Sequence, residues 1–282
     1  MPCESVEISP MLVSAFFNDS QFMWNEFFGE YLAVQENKIK LLTVIVNFYQ
    51  PTLRTVIPEE ANKIVGGTPA LEGEFPYQAS LDLSIRTCGG TLISTSIVLS
   101  AAHCFEGLKA ASTSAFTLTV NTTKLNGGIG AITRGVRKFV VHPLGEGGAS
   151  CYPIKNVRLV KLPSAYTTST YTGQQAVIVG WGDTSEGGSN SNDLLKATVT
   201  VLTNEACNLQ YNKINNTITN NMVCAAAPGK DTYQGDSGGP MLVEGVQIGI
   251  TNFGEGCADP RFAGVYTRVT RYINWITISY TI

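Results

Sequence analysis

Histidine is almost missing: His103 and His142 are the only two in 282 residues, too few for a histidine-rich metal centre. Charge is sparse as well, at 15% of residues, well under the usual quarter. No uninterrupted apolar run nears the roughly 18 residues that cross a bilayer as a helix. Together with 28 glycines, the thin charge points away from a helical bundle and towards a turn-rich β protein. The net charge of −3 is unevenly placed: residues 1–63 carry 8 acidic and 4 basic side chains, and the other 219 carry 14 and 15. Neither part has the strongly basic face of a nucleic-acid binder. What the chain does have is 44% apolar residues, enough to bury a core and to exclude a wholly disordered chain.

Residues 1–63 read as a leader or pro-segment outside the compact domain. The first ten residues hold acids and no basic start, unlike an ordinary secretory signal. Lys38 and Lys40 precede an apolar run at 41–48, which reads either as a displaced signal core or as part of an amphipathic pro-segment. Pro51, Pro58, Glu59 and Glu60 then make a polar, extended approach to Lys63. At Ile64 the text changes to IVGG and PYQASL. Short apolar runs follow at 91–100, 116–120, 136–141, 157–162, 176–180, 198–202 and 246–251, parted by Gly, Ser, Thr and Asn. Such spacing predicts an all-β barrel or sandwich. The end differs. Val269, Tyr272, Ile273, Ile276 and Tyr280 recur at the spacing of one helical face. Pro163 and the Ser/Thr/Tyr-rich stretch 164–172 form the best interior linker, and there is no internal repeat.

The most informative string is GDSGGP at 235–240. A reactive serine needs a tight turn that presents its Oγ, with backbone N–H groups aimed at the oxygen of a tetrahedral intermediate. Glycines permit that turn and a close approach of main chain to substrate. By itself the string would more often be only a loop. A serine nucleophile also needs a base within hydrogen-bond reach. His103, in SAAHC beside a cysteine and behind an apolar strand, fits that need; His142, in VVHP, reads as an ordinary loop histidine.

With these motifs the chain resembles the trypsin/chymotrypsin-like serine proteases from Ile64 to about Ile276. The resemblance implies two six-stranded antiparallel β-barrels and a C-terminal α-helix, within a protease domain at 64–282. The barrels would span about 64–165 and 166–266, and the helix about 267–280. It implies Ser237 as nucleophile, His103 as general base and later acid, and the N–H groups of Gly235 and Ser237 as the oxyanion hole. It implies a zymogen cut between Lys63 and Ile64, whose freed α-amino group pairs with the carboxylate of Asp236. Asp231 matches the floor of the primary specificity pocket, and Gly254 and Gly264 match its walls, so the expected cut follows Lys or Arg. The cut after Lys63 would suit the enzyme itself.

Cys88 and Cys104 match one disulfide of the family and Cys207 and Cys224 a second, which implies an oxidising, extracellular compartment. Sequons at Asn18, Asn121 and Asn215 agree with a secreted glycoprotein. Cys257 matches a cysteine whose usual partner position is Tyr233 here, leaving Cys3, Cys151 and Cys257 unassigned. The segment 121–130 has no acid, which argues against calcium there.

One departure concerns the chemistry. Where the family has an aspartate in a stretch reading roughly Asn-Asp-Ile-Ala-Leu, this chain has Lys155, Asn156, Val157, Arg158 and Leu159. No aspartate falls between Asp82 and Asp183, and Glu106 and Glu146 are the only acids between His103 and Trp181. The residue that normally supports the aspartate is serine in the family and Asn252 here. The loop 144–155 also looks long. A carboxylate only accepts hydrogen bonds and so fixes the imidazole tautomer, whereas an amide can donate and cannot balance an imidazolium. The expectation is therefore a secreted serine endopeptidase of reduced turnover, acting on protein and peptide substrates. Protein protease inhibitors are further partners; no cofactor, metal, nucleic acid or membrane span is expected, and the chain is expected to be a monomer. The alternative is an impaired protease homologue that works by binding or regulation.

Overall fold

The structure, a computed structural model, describes residues 27–35, 38–46, 63–142, 146–151, 154, 157–183, 188–256 and 258–279. Within residues 1–63, β1 (Phe27–Gln35) and β2 (Lys38–Val46) form an antiparallel hairpin in register from Phe27↔Val46 to Gln35↔Lys38. The apolar run at 41–48 falls mostly in β2, where Thr43, Val44, Ile45 and Val46 have the branching that suits a strand.

From residue 68 the chain is mostly β. After the short β3 (Thr68–Pro69), six strands close into a barrel: β4 (Gln78–Asp82), β5 (Thr87–Ser94), β6 (Ile97–Ala101), β7 (Thr117–Val120), β8 (Ile132–Val141) and β9 (Glu146–Cys151). Their order around the barrel is β4-β5-β6-β9-β8-β7. The second half holds β10 (Gln175–Gly180), β11 (Leu195–Leu202), β12 (Met222–Ala226), β13 (Pro240–Val243), β14 (Val246–Phe253) and β15 (Gly264–Arg268). They run in the order β10-β13-β14-β15-β12-β11, and β11 also pairs with β10, so this sheet curls back on itself with β3 at its margin. The all-β expectation holds. Closure removes exposed edges, and alternation supplies the two cores: β7 reads half-buried, buried, half-buried, buried along Thr117–Val120. Leu81, Leu92, Leu99 and Leu118 fill the first barrel; Ile178, Leu195, Val199 and Met241 fill the second, together with Ile64.

Among the described residues, two helices longer than the single turn at Lys63–Gly66 flank the sheets. α1 (Asn204–Tyr211) is capped by Thr203, whose side chain accepts from the N–H of Ala206 at 3.0 Å. The terminal apolar stripe divides into a 3₁₀ turn (Val269–Arg271) and α2 (Ile273–Ser279). Val269, Tyr272, Ile273 and Ile276 are buried against the core of the first barrel, so the chain's end straps one half to the other; Tyr280 lies outside the described residues. His142 packs edge-on to Tyr272 and Trp275 at 5.0 and 4.9 Å between ring centres, a structural role under that strap.

The sixth strand of the first barrel differs from the sequence reading. The apolar run at 157–162 has no strand assigned to it; the closing strand is β9, from the Gly-rich stretch expected to be part of a long loop. Pairing with β6 on one side and β8 on the other outweighs the poor strand propensity of its two glycines. The run 157–162 instead ties the halves together. The N–H of Val160 donates to Leu92 O at 3.1 Å, and that of Gln247 donates to Lys161 O at 2.9 Å.

Candidate active site

GDSGGP forms the turn that leads into β13. Gly235 and Gly238 have φ of 94° and 85°, which side chains rarely adopt. A Cβ on Gly238 would also run into Ser100 Oγ and Gly89 O, so the glycine lets this turn press against β5 and β6. Gly89 N–H donates to Ser237 O at 2.8 Å, and Cys104 Sγ lies 3.6 Å from the same oxygen. The turn's amides divide into two sets. Those of Asp236, Gly238 and Gly239 donate to Tyr233 O, Thr251 O and Asp236 O at 2.8–3.0 Å. Those of Gly235 and Ser237 donate to no acceptor among the described residues. A pair of unused N–H groups beside a half-buried serine suits an incoming oxyanion.

His103 comes from the next layer. It sits in a 3₁₀ turn (Ala102–Phe105) directly after β6, and the Cys88–Cys104 disulfide ties that turn to β5. Arg86 holds it from behind, donating to His103 O at 2.8 Å and to Glu106 O at 3.2 Å. The Asn252 side chain lies close enough to the imidazole to favour its charged form. Asn252 follows Thr251, whose carbonyl accepts from Gly238 and whose N–H donates to Gly239 O at 2.8 Å. The histidine turn and the serine turn are thus bound to the same stretch of β14. Burial first, and then the Arg86 charge, push the imidazole down to about 4; the Asn252 side chain opposes them only in part. No carboxylate acts on the ring among the described residues. Asn156 lies outside them.

Asp231, Gly254 and Gly264 meet in one place. A Cβ on Gly264 would stand 2.9 Å from Asp231 Oδ1, and one on Gly254 would stand 3.7 Å from Oδ2. Asp231 is 6% exposed, and burial raises its carboxyl to about 6 against the pull of backbone N–H groups from Thr232 and Ala258. The two glycines thus bring no side chain of their own against this buried acid.

Asp236 is wholly buried. It accepts from the N–H of Gly182 at 2.7 Å and that of Tyr233 at 3.0 Å, and burial still raises it to about 7, with Asp231 and Asp183 adding to the rise. The ion pairs found among the described residues are Lys124–Asp193, Lys196–Glu74 and Arg261–Asp259, so none reaches Asp236. Ile64 is also fully buried, and its φ of 27° is unusual for a β-branched residue. Gly66 packs against Gly229 O, and Asp231 N–H donates to Val65 O at 3.4 Å, so the IVGG segment rests on the loop that carries Asp231.

Three participants were not singled out from sequence. Gly180 and Gly182 flank Trp181 and make room for Asp236, whose carboxylate occupies the space their side chains would need. Gly-Trp-Gly after an apolar strand was the available signal. Arg86 gave none, because it acts on backbone carbonyls. Elsewhere, the Cys88–Cys104 and Cys207–Cys224 disulfides are formed and Cys151 is a buried free thiol, while Cys3 and Cys257 lie outside the described residues. Asn121 and Asn215 are exposed; Asn18 is outside. Among the described residues no three His, Cys, Asp or Glu side chains gather as a metal site would need, and no helix is long and apolar enough to cross a membrane.

The raised carboxyls have a consequence for the intact chain. A carboxyl whose pKa rises on folding stabilises the fold fully below its unfolded value near 4, and that contribution is lost as pH climbs through the folded value. For Asp236 and Asp231 the loss runs up through about 7 and about 6. Urea unfolding of a Lys63→Gln chain, a substitution that would block the expected cut, should show lower stability at pH 8 than at pH 5. Asp236→Asn in that background removes on the order of 2 kcal/mol of the difference. An unchanged difference would mean that Asp236 is not strained by burial.

The family model described as Trypsin matches residues 64–276. A trypsin of Blomia tropicalis, Trypsin Blo t 3, is 36% identical over 232 residues, covering 76% of this chain and 84% of that protein. A trypsin of Xenopus laevis is 35% identical over 233 residues, 77% of this chain and 91% of the relative. One from Saccharopolyspora erythraea is 37% identical over 221 residues, with 74% and 94% covered.

Proposed function

The chain belongs to the trypsin family, and from that premise we propose a secreted serine endopeptidase, made as a zymogen, that cuts protein and peptide chains after Lys or Arg with reduced turnover. The observation that carries the reading is the pair of unused amides, Gly235 and Ser237, beside a serine whose turn is pressed against that of His103. In the reaction, Ser237 Oγ attacks the scissile carbonyl while His103 takes its proton. The two amides hold the oxyanion, and the imidazolium returns the proton to the leaving amine as the C–N bond breaks. Water then attacks the acyl-enzyme by the same route, with His103 again as base, and Ser237 is restored.

Cleavage between Lys63 and Ile64 would supply what the buried Asp236 lacks, a cation. It would also free Ile64 from the chain that sets its φ of 27°, a strain of order 1–3 kcal/mol. Both effects favour the cut form, and Asp231 beneath its glycine walls supports a pocket that would accept Lys63 itself. The disulfides and the exposed Asn121 and Asn215 are compatible with a secreted glycoprotein. The leader at 1–63, the barrels at about 64–165 and 166–266 and the helix at about 267–280 belong to the same reading.

One observation favours the second reading, a protease homologue acting by binding or regulation. Burial and the Arg86 charge push His103 down to about 4, and no acid among the described residues opposes them. An imidazolium formed in the reaction would be poorly held there. Processing the chain after Lys63 and adding a serine-directed fluorophosphonate separates the two. The endopeptidase labels at Ser237 and hydrolyses a short arginyl or lysyl substrate slowly, and Ser237→Ala loses both. No labelling and no hydrolysis would leave the binding homologue.

A further inference from the structure

A cavity of about 620 Å³ opens in the second half of the molecule and shares no residue with the candidate active site. Five hydroxyl residues between 167 and 172 line it, from the Ser/Thr-rich stretch that otherwise only links the halves. Asn220, the start of α1 and the turn after β15, with Arg268, Thr270 and Arg271, complete it. No Leu, Ile, Val, Met or aromatic side chain lines the cavity, although small-molecule pockets are usually mostly apolar.

Two guanidinium groups stand in this wall without an ion-pair partner among the described residues. Arg268 donates only to neutral oxygens: Met222 O at 3.0 Å, Asn204 Oδ1 at 2.8 Å and Thr170 O at 3.5 Å. Arg271 donates to Asn220 O at 3.4 Å. Each guanidinium has five N–H donors, so both keep donors for a ligand. Burial and the Arg271 charge together disfavour the charged form of Arg268, a repulsion that an anion between the two would relieve. The wall also carries Glu205, which bridges to neither arginine.

We propose that this cavity binds a sulfated sugar chain, with a sulfate held between Arg268 and Arg271 and sugar hydroxyls against the Thr/Ser wall. The sulfate is a permanent anion that accepts several hydrogen bonds, which matches paired guanidinium forks. The hydroxyl lining matches a polyol. An acidic peptide fits less well, because peptide recognition relies on apolar anchors and this wall offers none. Glu205 faces the uncharged part of the sugar as an acceptor and sets its direction.

Calorimetry on the full chain tests the site without any catalytic readout. The probes are a fully sulfated glycosaminoglycan hexasaccharide, its unsulfated counterpart of equal length, and a sulfotyrosine peptide. The sulfated sugar should bind at least about tenfold more tightly than the other two, and more weakly as salt screens the arginines. Arg271→Gln should weaken it about tenfold or more, with the unfolding temperature unchanged, while Ser237→Ala should bind like the parent. Absence of binding, equal binding of the unsulfated chain, or an unchanged Kd in Arg271→Gln would each overturn the proposal. Tighter binding of the sulfotyrosine peptide would replace the sugar with a protein partner and overturn it as well.

Discussion

Replacing Asn156 by aspartate raises kcat/KM of the processed chain on an arginyl substrate by about 10³–10⁴, the reverse of the loss that follows when a Ser-His-Asp protease exchanges its aspartate for asparagine. About 4–5.5 kcal/mol of barrier is at issue. The reason lies in His103, which burial and the Arg86 charge push down to about 4. A neutral imidazole is free to take the Ser237 proton at neutral pH, but the imidazolium it becomes is disfavoured by both effects. A carboxylate against the ring opposes them, fixes the proton on the inner nitrogen and holds the positive charge. The pH profile carries the sign. In the parent, His103 stays neutral through the range from pH 5 to pH 8, so its protonation limits neither end. In Asn156→Asp the imidazole moves up towards its ordinary value near 6.5, and activity falls as the pH drops through that value. The ratio of variant to parent is therefore largest above pH 7 and shrinks towards pH 5. Titration of Asp231 acts on both proteins alike and cancels in the ratio. A ratio near one at every pH would mean that a carboxylate at 156 does not reach His103.

The limits of the sequence follow the same division between side-chain chemistry and backbone geometry. Ser237 and His103 stand out in the sequence because a nucleophile turn and its base would need rare residue types in fixed strings, and the structure does bring their two turns together. Asp231 was legible with Gly254 and Gly264, where an acid and two missing side chains make sense only together. The terminal stripe from Val269 to Ile276 could be read from its period, because a buried helical face repeats. β9 could not be read, because its glycines say nothing until β6 and β8 supply hydrogen bonds on both sides. Arg86 was hidden for a related reason: any residue chain reaching two carbonyls would leave the same trace in the text, which is none. In the sequence Asn252 reads only as a departure, a substitute for a serine that supports a carboxylate. Its contact with the imidazole itself emerges only when β14 is fastened to the serine turn at Thr251. Residues that act through main-chain atoms stay silent in a single sequence, while residues that act through unusual side chains do not.

Asp231→Ser lowers kcat/KM on arginyl and lysyl substrates by two to four decades, corresponding to about 3–5 kcal/mol for removing one partner of a buried ion pair. The carboxylate is 6% exposed and the glycine walls bring no replacement charge, so a substrate cation entering the slot would find only the hydroxyl of the variant. Loss of the acid leaves a neutral polar slot, and an uncharged P1 residue of similar length loses at most a few-fold. The pocket also has its own pH signature. Burial raises Asp231 to about 6 in the empty slot, so at pH 5 the acid is mostly protonated and a substrate cation must displace that proton. The ratio of arginyl to uncharged kcat/KM therefore climbs as pH rises through about 6 in the parent and is flat in Asp231→Ser. Comparing two substrates on one enzyme removes every titration they share, including those of His103 and Asp236. A ratio that stays flat in the parent, or a variant that keeps its preference for arginine, would place the recognition of the cation on some group other than Asp231.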